Sequence, residues 1–127
     1  ERRGSSGFGY DSVFVPEGYE EKVFNNIVKK EYVEKNPLTV LESVYAVIVD
    51  RMKNPKEDSY TNAVMEKGID EILKKLGHEC TEIILAAKNP DSDDLKFEIS
   101  DFMYHCMILM AQKNITWAEI AGELAQR

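Results

Sequence analysis

Residues 95 to 109 read LKFEISDFMYHCMIL, and this stretch decides the fold class. Its apolar residues recur at intervals of four, three, four and three positions, at Leu95, Ile99, Phe102, Cys106 and Leu109. Near-heptad spacing of this kind predicts one long helix with an apolar stripe along one face. The preceding Asp91-Ser-Asp-Asp94 supplies a cap and an acidic first turn, which suits the helix dipole. Lys113-Asn114 is expected to end the helix.

Helical signals continue upstream of this stretch. Thr39-Val-Leu-Glu42 has the pattern of a capping box, and Asn54-Pro55 should end the helix that it opens. We expect a second helix after the polar loop of residues 56 to 59 and a third helix that Pro90 closes, with Gly77 stopping or bending the chain between them. The apolar stripe of the first helix is Leu41, Val44, Tyr45 and Ile48. That of the second helix is Met65, Ile69, Ile72 and Leu76, and that of the third is Cys80, Ile83, Ile84 and Ala87.

A second capping box, Thr116-Trp-Ala-Glu119, opens a short last helix. The sequence therefore predicts an all-α fold, a bundle of about five helices over residues 37–127. Residues 1–36 are rich in glycine and aromatic residues, and we expect a short irregular segment of unknown role. The chain begins with Glu1, which suggests a fragment or a processed form.

The overall charge narrows the classes of partner. Sixteen basic and 23 acidic residues give a net charge of −7, which repels nucleic acid and anionic lipid. No apolar run approaches the roughly 18 residues of a membrane span. Cys80 and Cys106 both fall on apolar stripes, so we expect reduced core thiols, as in a cytoplasmic protein.

Two pairs of carboxylates flank the apolar stripes. Glu79 and Glu82 lie three residues apart on the predicted third helix, and Glu98 and Asp101 repeat that spacing on the fourth. If these helices pack antiparallel, all four side chains can face a common space, where they repel one another unless a cation is bound. Mg²⁺ prefers such oxygen ligands. Spacing alone leaves both a metal site and a solvated acidic face open.

Three separated motifs narrow this choice. They are DRMKNPKEDSYT at residues 50 to 61, ECTE at 79 to 82 and DFMYH at 101 to 105, with Lys67-Gly68, Ile72-Leu-Lys-Lys75 and Gly77 between the first two. In this order the motifs resemble phosphoribosyl-ATP pyrophosphatases, which belong to the MazG-like all-α nucleotide pyrophosphohydrolases. The resemblance covers residues 38 to 125.

The resemblance implies an enzyme of histidine biosynthesis that hydrolyses phosphoribosyl-ATP to phosphoribosyl-AMP and pyrophosphate, and a homodimer. It implies a cofactor, Mg²⁺ or Mn²⁺, that neutralises phosphate charge and activates the attacking water. The metal ligands would be Glu79, Glu82, Glu98 and Asp101, of which Glu79 and Glu82 are also the expected catalytic residues. The expected substrate-binding residues are Arg51, Ser59, Tyr60, Thr61, Lys74 and Lys75; the fork of Arg51 matches phosphate oxygens.

Two positions depart from the family pattern. His78 stands where the first metal-binding glutamate is expected, and Glu71 stands where a lysine is expected. Two alternative functions therefore stay open: a house-cleaning pyrophosphohydrolase of other nucleoside triphosphates, and a catalytically weakened binding or assembly module. Tyr104 and His105 are expected to be packed residues of the long helix, with His105 hydrogen-bonded at its rim. Met103, Met107 and Met110 are expected in the core or at a dimer interface.

The opening segment carries a second, shorter resemblance. Gly7-Phe-Gly-Tyr-Asp11 and the residues up to Phe24 resemble a loop of inosine triphosphate pyrophosphatases. The rest of that α/β fold is absent, so we assign no such activity.

Overall fold

The computed structural model describes residues 36–127, and within this range the chain forms helices and no strands. The helices are α1 (Thr39–Lys53), α2 (Tyr60–Glu66), α3 (Ile69–Ala86), α4 (Asp93–Gln112) and α5 (Trp117–Ala125). The prediction of an all-α fold with about five helices is confirmed. None of these helices combines the length and the apolar character needed to cross a membrane. The expected irregular segment and its short resemblance lie outside the described residues, apart from Asn36.

The chain divides into two compact units, one ending at Asn62 and one spanning Ala63–Arg127. In the first unit, α1 ends where the sequence predicts, and the amide of Asn54 donates to the carbonyl oxygen of Asp50 at 2.7 Å. The Asn62 side chain then fixes the following loop. Its Oδ1 accepts from the amide of Lys56 at 2.8 Å, and its Nδ2 donates to the carbonyl oxygen of Arg51 at 2.8 Å.

The two predicted capping boxes have different outcomes. At α5 the box is present: Glu119 N–H donates to Thr116 Oγ1 at 3.1 Å, and Thr116 N–H donates to Glu119 Oε1 at 2.8 Å. At α1 the prediction is wrong, because a turn at Pro37 starts the helix earlier. Thr39 is already helical, and its hydroxyl donates to the carbonyl oxygen of Asn36 at 2.7 Å.

In the second unit, the helix break lies at Gly68 and not at Gly77. Gly68 has a φ of 96°, which side chains other than glycine rarely adopt, and it separates α2 from α3. Gly77 is inside α3, where glycine costs roughly 1 kcal/mol relative to alanine but does not end the helix. As a result, Glu79 and Glu82 share one continuous helix with Lys74 and Lys75.

α3 and α4 pack against each other as an antiparallel pair joined by residues 87 to 92. The face of α4 that the fold buries repeats every three or four residues. Its buried residues are Glu98, Asp101, Tyr104, His105, Met107, Ile108, Met110 and Ala111. The predicted apolar stripe of α4 lies on another side and stays partly exposed, Ile99 by 41%. On α3, too, the predicted apolar stripe is not the buried face: Ile72, Glu79 and Ala86 are buried, but Ile84 is 61% exposed.

Candidate metal centre

Three buried, charge-bearing side chains meet between α3 and α4. Asp101 and His105 lie one helical turn apart on α4, and Glu79 faces them from α3. One ligand atom from each lies within 4.8 Å of the others. The residues are 2%, 1% and 5% exposed, respectively. Within residues 36–127 this is the one such cluster of histidine, cysteine and acidic side chains.

The imidazole of His105 joins the two helices. Its Nδ1 lies 2.8 Å from Oε2 of Glu79 and 3.0 Å from the backbone oxygen of Asp101. Both of these oxygens are hydrogen-bond acceptors, so Nδ1 must carry the proton and donate. The ring also packs edge-on against Tyr104, with the ring centroids 5.7 Å apart. His105 is thereby held in one tautomer and one orientation.

The carboxylate of Glu79 is only half satisfied. Oε2 accepts from His105, whereas the buried Oε1 has no hydrogen-bond partner among the described residues. Burial raises the pKa of Glu79, because it disfavours the charged form; the hydrogen bond and charge of His105 oppose this shift, and Asp101 adds to it. A buried, unpartnered carboxylate oxygen is costly unless a cation compensates it.

The donor set fits a hard divalent cation. Glu79 and Asp101 offer carboxylate oxygens, which Mg²⁺ and Mn²⁺ prefer. Nδ1 of His105 is occupied by its proton and by the contact to Glu79, so this nitrogen is not available as a ligand. Glu79 and Asp101 therefore supply the oxygen ligands that such a cation prefers.

The other two predicted ligands lie on the same helices but outside this cluster. Glu98 is 8% exposed and lies one turn before Asp101 on α4. The Glu82 side chain is 30% exposed, and one of its oxygens lies 3.5 Å from Nε2 of His78. The His78 side chain is itself 71% exposed. Metal binding by Glu82 and Glu98, and an effect of His78 on it, stay predictions.

The expected substrate-binding residues of the first unit surround the loop between α1 and α2. The Arg51 side chain is 12% exposed and pairs with Asp50 at 2.9 Å. Ser59 and Thr61 are buried on either side of the half-buried Tyr60, and Ser59 Oγ accepts from the amide of Asn62 at 3.1 Å. A role in substrate binding stays a prediction for these residues.

The remaining expected substrate-binding residues lie in the second unit. Lys74 is exposed on α3, and the half-exposed Lys75 pairs with Glu71 at 3.8 Å. The departure from the family pattern at Glu71 therefore supplies Lys75 with an ion-pair partner. Contact of either lysine with substrate stays a prediction.

Sequence reasoning underrated His105, which lies at the centre of the cluster and not at the helix rim. Its four-residue spacing from Asp101 could have indicated this, since such residues share one helix face. Packing of Tyr104, Met107 and Met110 in the core is confirmed, with 2%, 3% and 6% exposure. Met103 is only partly buried.

The cysteines differ from the expected pair of core thiols. Both are free, as predicted, but Cys80 is exposed and Cys106 is partly buried. The core prediction for Cys80 is wrong because the apolar stripe of α3 on which it lies is not the buried face. Burial, together with the negative charges of Glu79 and the Cys80 thiolate, raises the pKa of Cys106 to about 11. Cys106 is therefore a protonated thiol near neutral pH.

A protein family and several known proteins have sequences similar to this chain. The family model described as phosphoribosyl-ATP pyrophosphohydrolase matches residues 41–127. The phosphoribosyl-ATP pyrophosphatase of Clostridium novyi is 51% identical over 90 residues, which are 71% of this chain and 82% of that protein. The phosphoribosyl-ATP pyrophosphatase of Bacillus cereus is 47% identical over 93 residues, 73% of this chain and 84% of that protein.

A longer relative is the histidine biosynthesis bifunctional protein HisIE of Caldanaerobacter subterraneus. It is 48% identical over 90 residues, which are 71% of this chain but 44% of that protein. The match to the family model covers the helical part of this chain, including the segment that carries Glu79, Asp101 and His105. The chain belongs to the phosphoribosyl-ATP pyrophosphohydrolase family.

Proposed function

We propose that this chain hydrolyses phosphoribosyl-ATP to phosphoribosyl-AMP and pyrophosphate, as a metal-dependent enzyme of histidine biosynthesis. The observation that carries the proposal is the convergence of Glu79 and Asp101 in a buried site, in a chain of this family. The unpartnered Oε1 of Glu79 supports cation binding, because a buried carboxylate oxygen needs a compensating charge. Mg²⁺ is the proposed metal, with Mn²⁺ as a substitute of similar ligand preference.

Glu79 and Asp101 would hold the cation, and Glu82 and Glu98 are the proposed additional ligands. When bound, the metal would neutralise the triphosphate and polarise the attacking water. Without it, a chain with a net charge of −7 would repel a polyphosphate. Glu79 and Glu82 are the proposed catalytic residues, because their carboxylates could orient the attacking water.

Substrate recognition is assigned on the family motif. Arg51 is proposed to bind phosphate through its planar fork of donors, which matches phosphate oxygens. Further proposed contacts of the nucleotide are Ser59, Tyr60, Thr61, Lys74 and Lys75. The hydroxyl-bearing segment 59–61 favours phosphoribosyl-ATP over other nucleoside triphosphates, and relatives named phosphoribosyl-ATP pyrophosphatase support the same substrate.

The proposed assembly is a homodimer, with residues 37–127 as the enzymatic domain. The apolar stripes of α3 and α4 support it, because Ile84 and Ile99 stay 61% and 41% exposed in a single chain. A second copy would cover such residues. The free thiols fit a cytoplasmic location, and the acidic charge disfavours nucleic acid or anionic membranes as partners.

A substrate panel tests the proposed function. Phosphoribosyl-ATP, ATP, dCTP and inosine triphosphate would each be incubated with the chain and Mg²⁺ or Mn²⁺, and pyrophosphate release would be measured. We expect phosphoribosyl-ATP to be cleaved with the highest kcat/KM. Higher kcat/KM for the simple triphosphates would instead support the hypothesis of a house-cleaning pyrophosphohydrolase. No turnover of any of the four substrates would support a catalytically weakened binding module.

A further inference from the structure

We propose that His105 is a positioning residue, which holds one oxygen of Glu79 so that the other oxygen is presented to the metal. The proposal rests on the proposed function to the extent that Glu79 must bind a cation. It assigns a role to His105, which neither the spacing of the acidic residues nor the ligand preference of Mg²⁺ would indicate.

The two oxygens of the Glu79 carboxylate have different surroundings. Oε2 lies 2.8 Å from Nδ1 of His105, at the distance of a charge-assisted hydrogen bond. Oε1 is buried and has no hydrogen-bond partner within the described residues. The side chain therefore has one tethered oxygen and one oxygen left for a ligand.

His105 is itself held in place by its neighbours and cannot follow a moving carboxylate. Its side chain is 1% exposed, its Nδ1 also donates to the backbone oxygen of Asp101 at 3.0 Å, and its ring packs edge-on against Tyr104. A glutamate has three rotatable bonds and loses considerable entropy when it is held in one conformation. A rigid donor removes that cost before the cation binds.

The Nδ1 atom of His105 is a hydrogen-bond donor and not a metal ligand. Nδ1 lies 2.8 Å from Oε2 of Glu79 and 3.0 Å from the backbone oxygen of Asp101, and a backbone oxygen can only accept, so Nδ1 carries a proton and has no lone pair to offer. Mg²⁺ also prefers oxygen to nitrogen ligands. Hydrogen bonds from such outer residues typically change metal affinity by about ten- to a hundredfold when they are removed.

Two substitutions at one position test this role. His105→Asn keeps an N–H donor close to the place of Nδ1, whereas His105→Leu has a methyl group there and no donor. Both leave part of the buried volume empty, so both should lower the melting temperature. Mn²⁺ affinity would be measured by calorimetry without substrate, and Mg²⁺ affinity by competition.

We expect His105→Leu to weaken Mn²⁺ binding at least about tenfold, and His105→Asn to stay within about threefold of the unmodified chain. Equal tenfold losses in both variants would overturn the proposal, since they would indicate a direct ligand or a purely structural role. Unchanged affinity in His105→Leu would overturn it too. If His105→Leu fails to fold, His105→Ala replaces it as the variant without a donor: a loss of at least about tenfold in that variant alone supports the role, and equal affinities or equal losses in both variants overturn it.

The same experiment separates this proposal from the proposed function. If the unmodified chain binds no Mn²⁺, the metal site itself falls and the positioning role falls with it. If the unmodified chain binds Mn²⁺ and the affinity is indifferent to the donor at position 105, only the positioning role is overturned.

Discussion

Nδ1 of His105 on α4 lies 2.8 Å from Oε2 of Glu79 on α3, and both side chains are buried. This contact joins the two packed helices at the point where the acidic residues converge. It leaves Oε1 of Glu79 without a hydrogen-bond partner in the described part of the chain. The interior of this helix pair therefore contains a buried carboxylate oxygen that lowers the stability of the fold unless a cation compensates it.

The substitution Glu79→Gln tests how much stability the buried carboxylate of Glu79 costs the folded state. Because burial raises the pKa of Glu79 above its ordinary value of 4.5, folding favours the protonated form, and this stabilisation is lost as pH rises through the raised value. A neutral glutamine avoids the loss. Without metal, we expect the melting temperature of the variant to exceed that of the unmodified chain by a margin that grows as pH rises through the raised pKa of Glu79.

The same variant should lose the stabilisation by metal. Mg²⁺ or Mn²⁺ at millimolar concentration is expected to raise the melting temperature of the unmodified chain by mass action on the folded state. Glu79→Gln and Asp101→Ala should show no such rise. The absence of a metal-dependent rise in the unmodified chain, with and without nucleotide, would count against the metal site.

The substitution His78→Glu tests the departure from the family pattern. His78 lies 3.5 Å from Glu82, and a carboxylate in its place would add a negative oxygen ligand to this face of α3. We expect Mg²⁺-dependent release of pyrophosphate from phosphoribosyl-ATP to rise at least about tenfold, since one ligand or water-orienting group commonly changes rates by a hundredfold or more. His78→Gln is the neutral control. If the unmodified chain already works well and neither variant changes the rate, His78 is a bystander.

If the proposed homodimer forms through the apolar stripes of α3 or α4, a charged residue placed there should weaken it. Light scattering should give about twice the 14.5 kDa mass of one chain at micromolar concentration. Ile84→Asp or Ile99→Asp should shift the protein towards monomer, and the stronger effect would identify the helix at the interface. Thr81→Asp, at an exposed polar position of α3, is the control. A monomeric unmodified chain would contradict the proposal.

The raised pKa of Cys106 predicts that the folded state loses stability at alkaline pH. The pKa of the thiol is raised to about 11 from an ordinary value of 9.0, so folding favours the protonated thiol. The resulting stabilisation of the folded state is fully present below pH 9 and is lost as pH rises through about 11. Cys106→Ala should therefore lose less stability than the unmodified chain between pH 9 and 11, measured by urea denaturation. The exposed Cys80 should behave differently, and Cys80→Ala should keep most of the loss. Identical pH profiles for the unmodified chain and Cys106→Ala would contradict this.

Local sequence signals were sufficient for the fold class and for several helix ends. Pro55 ends α1, and Thr116 with Glu119 opens α5, because these effects act over a few residues. The break between α2 and α3 was misplaced because Gly68 and Gly77 offer the same local freedom. Only the backbone path, with φ of 96° at Gly68, distinguishes them.

The candidate site was predictable in part. The spacing of Glu79 and Asp101 within their helices, read with the family motif, indicated the acidic residues that the structure brings together. Hydropathy misidentified the buried face of α4, since that face carries Asp101 and His105 in place of purely apolar residues. The contact between His105 and Glu79 depends on the register of two helices, which spacing along one chain does not determine.

The most direct test of the account is phosphoribosyl-ATP turnover by the unmodified chain and by Asp101→Asn, followed by ³¹P NMR. We predict that the unmodified chain forms phosphoribosyl-AMP and pyrophosphate in equal amounts only when Mg²⁺ or Mn²⁺ is present. Asp101→Asn should lose at least about a hundredfold in rate, because it removes a charged ligand from a preorganised site. Asp70→Asn, at an exposed position of α3, should keep full activity. Equal rates with and without a metal chelator, or an Asp101→Asn variant as fast as the unmodified chain, would contradict the account.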